Sequence, residues 1–259
     1  MKSRELTERI EQTYPRSLAE SWDNVGLLLG DHSKEINKVL LSLDLSDEAA
    51  AKAVEIGADI VITHHPLIFS PMKRITTDDI IGRRLLKLAA HEINYYAMHT
   101  NFDIAGMGHL NADDLELQNR EVLAVTEENG DTVGFGCIGT LAKEMTVEDL
   151  AKKAKAIYNL EAIRVYGDPS KVISKVGICS GSGKSFIREA LEHQVDVYIT
   201  GDLDYHTAID AVSMGLTLID GGHYGTEYGF MSYMKDELEA WYPDLEIETM
   251  PVKSPYHIV

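Results

Sequence analysis

Over residues 2–14 the chain is polar except for Leu6 and Ile10, four apart, the period of an amphipathic helix. Val39-Leu40-Leu41-Ser42-Leu43 is instead a short apolar run, which predicts a strand buried on both faces. Ser46-Asp47-Glu48 then predicts a helix start capped by Ser46, and Gly57 ends it. Ile60-Val61-Ile62 reads as the next strand and runs directly into Thr63-His64-His65-Pro66. A helix over about 78–90 leads to a third strand over 95–98, which opens into His99-Thr100-Asn101-Phe102-Asp103.

The plan then repeats. A shift of 137 positions carries Val39 onto Val176, Ala53 onto Ala190, Glu55 onto Glu192 and Asp59 onto Asp196. Ile62 and Thr63 fall on Ile199 and Thr200 without a gap. The second copy continues through a helix over about 206–214 and a strand over 216–219, ending at Asp220-Gly221-Gly222-His223. Two related α/β lobes are therefore expected, one over 1–125 joined by the C-terminal segment 222–259, the other over 126–221. Strands alternating with helices make largely parallel sheets, and ligands gather beyond the carboxyl ends of such strands. The His and Asp clusters occur at those ends, so a site in the cleft between the lobes is expected.

Composition narrows the class. Hydrophobic residues make up 44% and charged residues 25% of 259, as in an ordinary folded protein. No apolar run approaches the roughly 20 residues of a membrane span, and the N-terminus lacks the apolar core of a signal peptide. Two cysteines, Cys137 and Cys179, form neither a disulfide framework nor a CxxC pair. A cytoplasmic protein is expected. Its 24 basic and 42 acidic residues give a net charge of -18, which repels nucleic-acid backbones and anionic lipid. One small anionic substrate stays compatible, because bound cations reverse the local potential.

Adjacent histidines project differently from an extended backbone, so His64 and His65 are placed to hold one ion each. Pro66 keeps His65 extended. The pair alone reads equally as two polar loop residues. His223 and Glu227 stand four apart at the start of an expected helix over 224–241, which puts both on one face. Asp103 alone reads as a turn aspartate. Together, three imidazoles and two carboxylates suit Zn, Mn, Fe or Co. Five ligands exceed the usual set of one catalytic zinc, and a carboxylate such as Glu227 can bridge ions about 3.5–4 Å apart. Ser180-Gly181-Ser182-Gly183-Lys184-Ser185 imitates a phosphate loop, but Ile178 occupies the position of its first glycine. A strand-to-helix turn is expected there.

Ser21-Trp22-Asp23-Asn24-Val25-Gly26-Leu27, Thr63-His64-His65-Pro66-Leu67, His99-Thr100-Asn101-Phe102-Asp103, Thr200-Gly201-Asp202 and Gly222-His223-Tyr224-Gly225-Thr226-Glu227 resemble the GTP cyclohydrolase I type 2 homologues, the Nif-three-like dinuclear-metal proteins. The resemblance implies a two-lobed subunit in a toroidal homohexamer, with two divalent ions per subunit (Zn, Fe or Mn). It assigns one ion to His65 and Asp103, the other to His64 and His223, with Glu227 bridging. It also implies a short form without the inserted middle domain, whose place is a connection over about 121–146. The expected function is a metal-dependent hydrolase of a small nucleotide or phosphoester. His99 and His206 are candidate proton-transfer groups, and Asn24 and Asp202 candidate orienting residues. The alternative is a non-enzymatic metal-binding scaffold or adaptor.

Overall fold

The computed structural model describes residues 1–127, 132–251, 253–254 and 256–259. Its strands are β1 (Gly26–Leu29), β2 (Lys38–Ser42), β3 (Ile60–Thr63), β4 (Asn94–Ala97), β5 (Gln118–Glu127), β6 (Val133–Thr146), β7 (Arg164–Tyr166), β8 (Val172–Ile178), β9 (Val197–Thr200), β10 (Thr217–Asp220) and β11 (Glu246–Thr249). They form a five-stranded sheet in the order β1-β4-β3-β2-β11 and a six-stranded sheet in the order β5-β6-β8-β9-β10-β7. No helix among the described residues is long and apolar enough to cross a membrane.

The chain divides into residues 1–102 with 230–253, and residues 103–229 with 254–259. The first boundary therefore falls at Phe102 rather than near 125. Strand pairing explains the difference: β5 pairs antiparallel with β6, so the chain after Phe102 is committed to the second sheet. The supposed connection over 121–146 is mostly these two strands; its residues 128–131 lie outside the described residues. Residues 223–229 also stay with the second unit, where the Thr226 hydroxyl accepts from Gly181 N.

In the first unit β2, β3 and β4 run parallel, and β3 and β4 are buried along their full length. That explains the apolar run Ile60-Val61-Ile62, since helices cover a parallel sheet on both faces. The helix Asp47–Glu55 starts as expected: the Ser46 side chain accepts from Ala49 N, and Gly57 follows with φ +65°. Ala49, Ala50 and Ala53 turn inward onto Leu40, Val61 and Tyr95.

The second unit shows the alternation of a two-faced sheet. Val197, Ile199 and Ile219 join one apolar cluster with the helix Val147–Ile157, while Tyr198 and Leu218 join another with Ala208 and Ala211. Burying such a side chain contributes about 1.5–3 kcal/mol.

The internal repeat is physical. Val39 faces Ile60 across β2 and β3, and Val176 faces Val197 across β8 and β9, the same register 137 residues on. Asp59 Oδ2 accepts from Asn37 N and Lys38 N at 2.8 and 3.0 Å. Asp196 Oδ2 accepts from Ser174 N and Lys175 N, both at 2.9 Å. Lys34 and Lys171 donate to the carbonyls of the same two aspartates. In each sheet the third parallel strand carries an antiparallel edge strand, β1 on β4 and β7 on β10.

Candidate metal centre

In the first unit the carboxyl end of β3 delivers His64 and His65. Their backbone is fixed before any ligand arrives: His64 N and His65 N donate to Ser42 O and Leu43 O. The Thr63 hydroxyl donates to His65 O at 2.7 Å, and Tyr95 OH accepts from Leu67 N at 2.7 Å. Burial pushes the Tyr95 phenol up to about 12, so it keeps its proton at neutral pH. His64 is fully buried, whereas His65 and His99 are half-buried.

Each ring is gripped at Nδ1. His64 Nδ1 lies 3.0 Å from Met98 O, His65 Nδ1 3.0 Å from Asp44 Oδ1, and His99 Nδ1 3.0 Å from Asp23 Oδ1. A carbonyl or carboxylate oxygen can only accept, so Nδ1 carries the proton and Nε2 presents its lone pair. The three rings offer ligand atoms within 4.8 Å of one another. His99, read from sequence as a proton-transfer group, thus belongs to the histidine cluster itself. Asp44 and Asp23 were not singled out as partners of these rings. Asp44 directly follows the apolar run of β2, a strand-end signal that pointed to it.

In the second unit Asp103 opens a π-helical turn, Asp103–Met107, rather than closing a loop. Such turns are rare and recur at functional sites. The single helix expected over 224–241 is also broken: a short turn His223–Thr226 is followed by the helix Phe230–Trp241, with Glu227 as the C-cap of the first. Gly225 packs against the Leu160 side chain and Gly229 against that of Leu110, and glycine weakens a helix. The one turn still brings His223 Nε2 to 3.4 Å from Glu227 Oε1.

His223 follows the same rule as the other rings, with Nδ1 2.8 Å from Asp202 Oδ2. Asp202 adopts φ +53°, a left-handed conformation that is uncommon outside glycine. Burial pushes the Cys179 thiol well up, and the negative charges of Asp103 and Glu227 push it further. Both carboxylates therefore act electrostatically on the buried Cys179 thiol.

Imidazole Nε2 and carboxylate oxygen are the donors that Zn, Mn and Fe prefer, so both clusters fit divalent ions. The space supports the fit. A Cβ at Gly181, which has φ +64°, would collide with Glu227 Oε1 and press on His223 Nε2. His206 stands exposed on the helix Tyr205–Ser213, its ring edge-on to Tyr205, and joins neither cluster among the described residues. Asn24 spends its amide on Ile68 O at 2.6 Å.

The segment 180–185 is the expected strand-to-helix turn, and it runs into the 3-10 helix Gly183–Phe186. Gly181 N donates to the Thr226 hydroxyl and Gly183 N to the Thr200 hydroxyl, both at 2.9 Å. Those N–H groups are the ones a phosphate cradle needs. Lys184 Nζ instead meets Asp204 Oδ2 at 3.2 Å. Lys184→Ala is expected to leave any nucleotide affinity and turnover within about fivefold, because an exposed ion pair is worth about 0–1 kcal/mol. Collapse of activity with metal content intact would restore the phosphate loop.

Asp23 gives a pH signature. Burial raises its carboxyl, but the hydrogen bonds from His99 and Thr100 outweigh that and hold it at about 2, below the ordinary 3.8. The stability it contributes is full above about pH 4 and is lost as pH falls through about 2. Asp23→Asn is expected to flatten the acid limb of stability against pH, measured by urea unfolding between pH 2 and 5. An unchanged limb would refute this coupling.

A family model described as Duf34/NIF3 (NGG1p interacting factor 3) matches residues 1–255. The chain is 35% identical over 263 residues to the GTP cyclohydrolase 1 type 2 homolog of Clostridium perfringens strain 13 / Type A, covering 100% of each. Among solved structures it is similar to the Bacillus cereus protein related to NIF3, with a TM-score of 0.91, 26% identity, and 100% and 99% of the two chains covered. It is also similar to reduced HcgD from Methanocaldococcus jannaschii, with a TM-score of 0.81, 33% identity, and 96% and 97% covered. The chain belongs to the Duf34/NIF3 family.

Proposed function

We propose that this Duf34/NIF3 protein is a metal-dependent hydrolase whose His64, His65, Asp103, His223 and Glu227 hold two divalent ions. The observation that carries the reading is the common grip on the rings. Nδ1 of His64, His65 and His223 faces a carbonyl or a carboxylate, which leaves each Nε2 as the ring's electron-pair donor and supports a ligand role. Such ions, when bound, supply Lewis-acid activation of water and of the bond it attacks.

The protein's own residues supply the rest. Asp44 and Asp202 orient His65 and His223 and raise their basicity. Asp23 holds His99 with Nε2 available, so His99 accepts a proton from the attacking water and returns it to the leaving group. His206 is the other candidate for this transfer, and its exposed position makes it the weaker one. The substrate class follows from the relative's name: for a guanine nucleotide, water would add at purine C8 and formate would leave. Nucleotides and phosphoesters form the panel to screen.

The working assembly is proposed to be a homohexamer. Light scattering is expected to return about six times 28.8 kDa. Chelation is expected to abolish turnover across the panel, and added Zn, Mn or Fe to restore it. A monomer would exclude the ring; stability loss on chelation without any turnover would favour the scaffold reading.

A further inference from the structure

Trp22 and Phe69 are large, half exposed at 54% and 53%, and lie against each other with ring centroids 5.7 Å apart at 46°. Contiguous exposed apolar surface of this kind is a feature of ligand-binding sites. Trp22 also stands edge-on to His99, centroid to centroid 6.1 Å, so the pair lies at the rim of the histidine cluster.

The backbone under this pair is held rigidly. Asp23 N donates to Glu20 O, and Glu20 N donates to the Thr100 hydroxyl, closing the turn that carries Trp22. Asp23 is bonded to His99 and, twice, to Thr100. Asn24 donates to Ile68 O at 2.6 Å and so ties the Trp22 turn to the residue before Phe69. The two rings are therefore presented at low ordering cost, as a preorganised recognition element requires. The turn that carries Trp22 is thus tied both to the segment of His99 and Thr100 and to Ile68.

We infer that Trp22 and Phe69 form a stacking platform for a flat heteroaromatic ring of the substrate. The inference rests on the hydrolase reading in placing that substrate beside His99. Aromatic faces stack on any flat π-system, nucleobases included, and such a contact selects ring shape without reading hydrogen bonds. This is the recognition absent from the ligand set, because histidines and carboxylates address the reacting bond and not the ring. The pair's edge contact with a histidine of the cluster favours a small ligand over a second protein chain, which would cover a broader apolar face.

The test uses the full-length, metal-loaded protein carrying Trp241→Phe. The chain has two tryptophans, so this leaves Trp22 as the sole reporter. The probes are GTP, guanosine, adenosine and a pterin, with inorganic triphosphate as the ring-free control. Ring-bearing probes are expected to quench Trp22 fluorescence saturably, and triphosphate is not. In the parent sequence, Trp22→Ala and Phe69→Ala are expected to weaken binding measured by calorimetry about tenfold. Trp22→Phe is expected to retain most of it, with metal content and assembly size unchanged. No quenching by any ring, or unchanged affinity in both alanine variants, overturns the platform. So does a shift in assembly size in Trp22→Ala, which would make the pair a contact between copies. Quenching without turnover keeps the platform and sinks the hydrolase reading. Turnover with an unaltered KM in both variants does the reverse.

Discussion

Glu227→Ala is expected to empty the metal-loaded protein of both of its about two ions, whereas Asp103→Ala chiefly weakens one. Glu227 is 3% exposed, capped into the turn after Thr226, and 3.4 Å from His223 Nε2. In the proposed arrangement it is shared by the two ions, and its loss leaves neither with a sufficient ligand set. Ions that bind only the folded protein stabilise it by mass action, about 4 kcal/mol when their concentration is a thousand times Kd. Glu227→Ala and chelated wild type should therefore both melt on the order of 10 °C lower than the loaded protein. Elemental analysis that finds one ion in carefully loaded wild type, or two in Glu227→Ala, would sink the dinuclear reading.

His99→Ala is expected to lower kcat about 10²–10⁴-fold while both ions stay bound. Its Nδ1 is committed to Asp23 at 3.0 Å, and its ring lies 5.3 Å from His64 and 5.7 Å from His65. That geometry holds one protonatable nitrogen beside the cluster. Asp23→Asn should slow the same step, because an amide accepts less strongly than a carboxylate and relaxes the choice of tautomer. The decisive readout is metal content measured with kcat. If His99→Ala loses an ion along with its activity, His99 is a ligand and the proton passes through another group.

The sequence by itself determined the parallel strands, the duplication and the strand ends where polar residues collect. Each of these rests on local physics. An apolar run such as Ile60-Val61-Ile62 must be buried, a cap such as Ser46 must start a helix, and polar residues after a parallel strand must collect at its carboxyl end. The repeat was legible because the same register and the same aspartate clasp recur 137 residues later, with Asp59 and Asp196 in equal roles.

Only tertiary structure decided which groups grip the rings. Asp44 lies 21 residues from His65, and Asp23 lies 76 from His99, so their meeting depends on strand order and loop path. The division at Phe102 depended on the β5–β6 hairpin joining the second sheet through β6 and β8, a longer-range pairing that no periodicity encodes. The break after Thr226 falls between Gly225 and Gly229, which lie close to the side chains of Leu160 and Leu110 from elsewhere in the chain. Periodicity reports which face a residue must turn to the core. It does not report what arrives at that face from elsewhere in the chain, and the chemistry of this site is set by those arrivals.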